Sequence, residues 1–365
     1  MNTKVTHLSS VHPASDTRIF LKECSSLAKY YTVTLIAKAE KKSINNGVNI
    51  IPFKTFKNRF LRMFISPLRM FFLALKYKAE IYHIHDPELL ITLMLLKIFT
   101  RSKLIYDIHE DVVSDLQSKA YLRGILRNSI SVIFNKFERK ISRLTDYNIT
   151  ATPFIREKFK KLNDRTIDIN NYPIQDELVS KHKPHSKSVC YIGSITKVRG
   201  ISTIIDAMEL VDAELILAGN YEPTSYRDEL KSKKGWQKVK EVGFVNRNEM
   251  KKILSISIAG LVLFEPVPNH INAQPNKLFE YMSSSLAVIC SNFPLWYTIV
   301  EKNHCGILVD PLNSDEIASA INHLIENPKI SKRLGKNGSQ AVKEIFNWKS
   351  EERKLFLLYK KILGV

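Results

Sequence analysis

The sequence predicts two α/β domains in tandem, each a parallel sheet flanked by helices. Three observations carry this. Short runs of β-type residues alternate with helical stretches along the whole chain, which is the pattern of βαβ units. At 365 residues the chain exceeds what one typical hydrophobic core organises. A polar segment with two prolines, Asn170–Ser188, divides it near the middle. The predicted domains are 1–172 and 173–348. The last stretch, 349–365, reads as an amphipathic helix with Leu355, Leu358, Tyr359 and Ile362 on one face.

Composition narrows the partners. Lysine and arginine number 55 against 36 acidic residues, a net charge of +19, which favours anionic ligands or surfaces. Cys24, Cys190, Cys290 and Cys305 are far apart and form no C-x-x-C pair, so buried thiols are expected rather than disulfides or a zinc site. The N-terminus enters a strand without a signal-type apolar segment, and Leu89–Phe99 is too short to cross a bilayer and carries Lys97. These features predict a cytoplasmic protein, at most peripheral on the inner face of a membrane.

In the first half the expected strands are Val5–Ser9, Val33–Ile36, Val48–Ile51, Ile81–Ile84, Lys103–Asp107 and Tyr147–Ala151. Ligands bind such sheets at the carboxyl ends of the strands, which singles out the loops Ser9–Thr17, His85–Glu88 and Ile108–Val112. No G-x-G-x-x-G follows the first strand, and this disfavours a dinucleotide-dependent dehydrogenase. The Y-D-I-H-E run places His109 just beyond a strand end, followed by Glu110, with Asp107 expected in the sheet interior or capping the next helix. His83, His85 and Asp86 have the proximity of metal ligands but lack a further cysteine or carboxylate to complete a set, so no metal is expected.

Residues 53–78 interleave Phe, Met and Leu with Lys54, Lys57, Arg59, Arg62, Arg69, Lys76 and Lys78 and contain no acid. A second basic helix, 121–143, carries Arg123, Arg127, Lys136, Arg139 and Lys140. Cationic amphipathic stretches of this kind suit an anionic membrane surface. The alternative is that the aromatics belong to the core and the cations are simply solvated. Nucleic acid is not expected, because no recognition-module signature accompanies the charge.

In the second half the expected strands begin with Val189–Gly193, Glu214–Ala218, Val239–Val242 and Ile258–Phe264. The run YIGSITKVRG puts Gly193 at a strand end, where a close turn is needed, and Arg199 before a helix, where its planar fork suits phosphate oxygens. Further on, QPNKLFEYM opens a helix at Pro275, with Lys277 and Glu280 at i, i+3 spacing. A helix N-terminus with Lys277 can face phosphates, and Glu280 can accept both hydroxyls of a ribose. The apolar runs Leu286–Ser291 and Gly306–Asp310 follow, completing a strand–helix–strand unit.

PNKLFEYM, FPLW, CGILVDP, Y-D-I-H-E and the Arg199-Gly200 turn together resemble the family 4 retaining glycosyltransferases of the GT-B fold. The resemblance spans nearly the whole chain. It implies two Rossmann-like domains facing a central cleft, with the C-terminal helix packed back on the first. It further implies transfer from an NDP-sugar, with UDP favoured over GDP, to a saccharide or lipid-linked acceptor in surface-polysaccharide assembly such as capsule or O-antigen. No cofactor is implied beyond the donor. His109 would meet the donor sugar, Arg199 and Lys277 the pyrophosphate, and Glu110 the acceptor, with Asn276, Gly193, Ser9 and Asp16 also binding substrate. Ser9, His12 and Asp16 stand where many members carry a glycine-rich loop. Two departures matter. Ser194 replaces a cation common after the first glycine, and Asn272 stands where the family's first glutamate reads the sugar hydroxyls. An amide lacks the charge and brings its own N–H donors. The alternatives are a GT-B sugar-nucleotide epimerase, which needs no acceptor, and a non-catalytic anion- or membrane-binding protein, which would tolerate loss of His109, Lys277 or Glu280.

Overall fold

The computed structural model describes residues 3–56, 58–112, 124–178 and 187–364. Lys57, Arg123 and part of the predicted linker lie outside the described residues, as do the side chains of Arg59 and Arg127. The chain divides into two compact units, Met1–Asn171 with Trp348–Val365, and Tyr172–Asn347.

The first unit contains β1 (Lys4–Pro13), β2 (Thr32–Lys38), β3 (Ser43–Asn45), β4 (Val48–Pro52), β5 (Ile81–Ile84), β6 (Lys103–Ile108), β7 (Tyr147–Thr150) and β8 (Thr166–Asp168). They form one sheet in the order β3-β4-β2-β1-β5-β6-β7-β8. All pairings are parallel except the small β3–β4 hairpin. That hairpin turns at Asn46-Gly47, both at positive φ, the backbone that a two-residue turn requires. Leu8, Ile84 and Tyr106 on the strands pack with Met70, Phe71 and Leu93 of flanking helices.

The first strand differs from expectation. It runs to Pro13, with a register shift against β2 between Leu8 and Pro13, so most of the predicted loop is strand. Asp16 then caps a wide π-type helix, Thr17–Cys24, by accepting from the Ile19 amide at 2.8 Å. The sequence shows no period for this helix because its i→i+5 bonds, such as Leu21 N to Asp16 O at 3.2 Å, break the 3.6-residue rhythm.

The C-terminal helix, Trp348–Leu363, belongs to the first unit. Trp348 Nε1 donates to Ser26 Oγ at 3.0 Å, Glu351 accepts from the Asn170 amide at 2.8 Å, and Tyr359 is fully buried.

The second unit contains β9 (Ser188–Ile192), β10 (Glu214–Ala218), β11 (Val239–Gly243), β12 (Ala259–Val262), β13 (Ala287–Ser291) and β14 (Gly306–Val309). Their order is β11-β10-β9-β12-β13-β14, all parallel. Side chains alternate between two cores: Val189 and Tyr191 enter one, Cys190 and Ile192 the other. Strands buried on both faces read as continuous apolar runs, which is why they were legible in sequence.

Both sheets reverse direction beside their first strand, between β1 and β5 and between β9 and β12. In doubly wound sheets this switch point opens a crevice at the carboxyl ends of the strands. Ser9, Ser10, His85 and Asp86 gather at one, and Gly193 and Phe264 at the other. The second switch point tolerates no added bulk: a Cβ on Gly260 would lie 2.2 Å from the Tyr281 ring, whose hydroxyl accepts from the Ile192 amide at 2.9 Å. Gly260→Ala is expected to lower unfolding stability by about 1–3 kcal/mol through overpacking, read from denaturant melts.

Candidate functional site

In the second unit, the site starts from two glycines. Gly200 sits at φ +69°, and a Cβ there would meet the Leu263 carbonyl oxygen at 1.9 Å. That close approach sets the preceding turn, Lys197–Arg199, against the residues just past β12, and the Arg199 guanidinium lies 4.8 Å from the Phe264 ring centroid. Gly193, at φ +141°, leaves room for Lys277: a Cβ would stand 2.7 Å from its Nζ.

Pro275 is the N-cap of the helix Asn276–Ser283 rather than its first residue. Lys277 follows in the first turn, but it points inward and is only 7% exposed. Its ammonium rests 3.7 Å from the Tyr191 ring centroid and 5.4 Å from that of Phe264, and has no hydrogen-bond partner. Burial and the neighbouring Arg199 hold its pKa well below the ordinary lysine value. Cation–π contact offsets part of the desolvation, yet a buried ammonium without an acceptor is costly. An anion reaching this point would supply the acceptor and restore the charged form. Thr196 Oγ1 and Gln274 Oε1 are also buried without partners.

Glu280, one turn further, is not a free carboxylate. Its Oε1 accepts from Arg247 Nη1 at 2.5 Å, while Arg247 also binds Glu177 at 2.8 and 2.7 Å. One bond leaves most acceptor positions of Glu280 open, and Arg247 fixes its direction. Asn272 ends the short helix Pro268–Ile271 and is half-buried, whereas Asn276 is exposed. His270 packs on Phe264 at 4.7 Å, and burial with Arg199 nearby lowers its pKa. The structure therefore gathers Gly193, Arg199 and Lys277 around Tyr191 and Phe264. Arg247, Glu177 and Tyr191 were not legible as site residues. The one signal was Asn246 with Glu249, a capping box that starts the helix at Arg247.

In the first unit, Asp86 organises the end of β1. Its Oδ2 accepts from Ser9 Oγ at 3.0 Å, the Ser10 amide, Ser10 Oγ at 3.2 Å and the Val11 amide at 3.0 Å. Ser9 is thus wholly buried and occupied. His12 bridges Asp16 at 3.5 Å and Asp86 at 3.4 Å. The bond to Asp16 raises the His12 pKa. Asp16 falls to about 2 although burial opposes it, because His12 and the Ile19 amide bond its carboxylate. Asp107 faces inward: Arg18 binds it at 3.2 and 2.8 Å, His85 Nδ1 at 3.2 Å and His109 Nε2 at 3.0 Å. Burial pushes the Asp107 pKa up, but Arg18 and His109 outweigh it and hold the group well below the usual range. Glu110 is exposed beside this edge.

Behind them, His7, His83 and His85 stack on one sheet face, paired by the β1–β5 register His7↔His83. Burial lowers the pKa of each. Glu23 lies opposite, raised well above the usual carboxylate value by burial and by Asp107. In three dimensions, carboxylates distant in sequence do join these histidines. Donor atoms of His7, Glu23, His83 and His85 lie within 4.8 Å of one another, as do those of His85, Asp107 and His109. Against a cation, Arg18 Nε lies 3.2 Å from both Glu23 and Asp107, and His7 Nδ1 is already 2.8 Å from His85 Nε2.

Comparison with known proteins agrees with this architecture. The family model described as Glycosyltransferase Family 4 matches residues 22–169, and that described as Glycosyl transferases group 1 matches residues 175–341. An uncharacterised glycosyltransferase of Methanocaldococcus jannaschii is 25% identical over 72% of this chain and 68% of its own length. Sucrose-phosphate synthase from Thermosynechococcus elongatus superposes with a TM-score of 0.84 at 16% identity, over 99% of each chain. The Anabaena protein HepE, solved in complex with UDP-glucose, gives 0.76 at 14% identity, over 98% of this chain and all of its own. The fold and the paired family matches define a GT-B enzyme. The chain belongs to family 4 of the glycosyltransferases.

The buried histidines make acid stability predictable. Each is held neutral when folded, so below its ordinary value of 6.5 the unfolded chain binds more protons. Stability is present above 6.5 and lost as pH falls, by about 1.4 kcal/mol per pH unit per histidine. Glu23 and His12, both raised, contribute in the opposite sense, more at low pH. With three groups against two, the melting temperature of the first unit should fall between pH 6.5 and 5. His83→Gln should flatten that slope in a pH series of thermal melts.

Proposed function

We propose that this glycosyltransferase takes its sugar from a nucleoside-diphosphate donor, with UDP favoured over GDP, and retains the anomeric configuration. The observation that carries the reading is the buried, unpartnered Lys277 ammonium beside Arg199 at a helix entrance. The two cations would take the charge that develops on the departing diphosphate, the interaction that most lowers such a barrier. Glu280, aimed by Arg247, would accept the ribose hydroxyls. The UDP-glucose complex of HepE supports a uridine donor. At the carboxyl edge of the first unit, His109 would meet the sugar and Glu110 the acceptor.

The acceptor would be a saccharide or a lipid-linked saccharide at an anionic membrane surface, in surface-polysaccharide assembly. Among the described residues no helix is long and apolar enough to cross a membrane. The helix Arg59–Lys76 divides its apolar residues: Met70 and Phe71 are core, while Met63 and Phe72 are 46% and 68% exposed. Ile98, Phe99 and Ile133 are exposed as well. Not all the cations are available, since Arg62 is paired with Glu88 at 3.0 Å. Lys54, Arg69, Lys76 and Lys78 remain exposed.

Two measurements test these readings. In a thermal-shift series with UDP, GDP, ADP and dTDP, one diphosphate should raise the melting temperature by mass action, and Lys277→Ala should abolish that rise. No shift with any of them would overturn the donor site. In vesicle flotation, the protein should float with phosphatidylglycerol-containing but not neutral vesicles, and Phe72→Asp should release it. Equal turnover of soluble saccharides without vesicle binding would remove the membrane acceptor.

A further inference from the structure

A row of buried side chains runs from the C-terminal helix to His109, and its hydrogen bonds have a direction that can be deduced. Asp107 is a carboxylate and can only accept. His85 Nδ1, 3.2 Å from its Oδ2, must therefore carry a proton. His85 is wholly buried, so only its neutral form fits, and its Nε2 is a bare acceptor. His7 Nδ1, 2.8 Å from that nitrogen, must then donate, which leaves His7 Nε2 bare. Tyr359 Oη lies 3.5 Å from His7 Nε2 and 2.9 Å from His83 Nδ1. It donates to the first and accepts from the second. Every donor in the row points toward Asp107.

His109 approaches the same Oδ2 through Nε2 at 3.0 Å. The 3.3 Å between His85 Nδ1 and His109 Nε2 is the gap between two donors sharing one acceptor. The groups facing His109 are His12 near the end of β1, Asp16 beyond it, His85 just past β5, and Asp107 near the end of β6, with Arg18 behind. The contacts of its ring nitrogens among the described residues all fall on Nε2.

We infer that Asp107 is a positioning residue that holds the His109 ring as the Nε2–H tautomer and turns the bare Nδ1 outward as an acceptor, with His85, His7 and Tyr359 as the buried row that keeps Asp107 in place. The catalytic sense of this rests on His109 being the residue that meets the sugar. Nδ1 then accepts a hydrogen bond from a substrate hydroxyl, whereas an Nδ1–H tautomer would donate one.

The test is a long-range ¹H–¹⁵N spectrum of the histidine rings in the full-length resting protein above neutral pH, with His109 assigned by His109→Gln. The expected pattern is Nε2–H for His109 and Nδ1–H for His7 and His85, the tautomer less favoured in water. Nδ1–H on His109, or Nε2–H on His85, would overturn the inference. Asp107→Asn presents an amide N–H to both rings, so it should invert the His109 tautomer and lower kcat by about ten- to a hundredfold, the worth of one lost hydrogen bond, while donor KM stays within about twofold. A folded Asp107→Asn protein with the His109 pattern unchanged would also overturn it. If the tautomers are as expected but His109→Gln leaves turnover intact, the row stands and the catalytic reading of His109 fails instead.

Discussion

The Arg18–Asp107 pair is the interaction on which the first unit depends. Arg18 donates to both oxygens of Asp107 and to the Ile169 carbonyl at 2.7 Å. One guanidinium thus ties the helix after β1, the middle of the sheet and the segment where the chain leaves the unit. Removing either partner would strand a charge in a buried site, which costs far more than the pair contributes when intact. The pair also decides what the histidines are. With Asp107 fixed as an anion, the imidazoles around it become donors of set direction rather than interchangeable polar fillers.

The second unit meets the opposite condition. Its Lys277 amine at the switch point is left without a hydrogen-bond partner, and aromatic rings stand in for one. Tyr191 and Phe264 stabilise Lys277 enough to hold it in place, but they do not satisfy its protons. The Lys277 side chain is thus already desolvated, so an anion entering here would not bear that part of the cost. Arg247 does comparable work for Glu280 by fixing one carboxylate oxygen.

Much of this was legible in the sequence, for a definable reason. Buried parallel strands read as apolar runs, so twelve strand positions stood out to within a few residues. The run from Pro275 through Lys277 to Glu280 was legible because these residues lie within two helical turns of one another. What escaped notice acts across long separations or in irregular backbone. Arg18 meets Asp107 from 89 residues away, and Glu177 meets Arg247 from 70, with no periodicity to announce either. The strands Ser43–Asn45 and Thr166–Asp168 are three residues each, too short to show an alternation. Nothing in the sequence singles out Glu23, and only the sheet's stacking of His7, His83 and His85 makes it a buried neighbour. The aromatic segment 53–78 divided between core and surface, because helix periodicity distributes one composition over two faces.

The chain passes from the first unit into the second after Asn171 and returns at Trp348, so the second unit is an insertion within the first. During synthesis, the inserted unit is complete in sequence before the helix that finishes its host has been made. Until Trp348 reaches Ser26 and Tyr359 reaches His7 and His83, the host lacks part of its buried polar face. The helix Trp348–Leu363 is therefore the closing piece of the first unit, which cannot complete its buried polar face until this helix has been made.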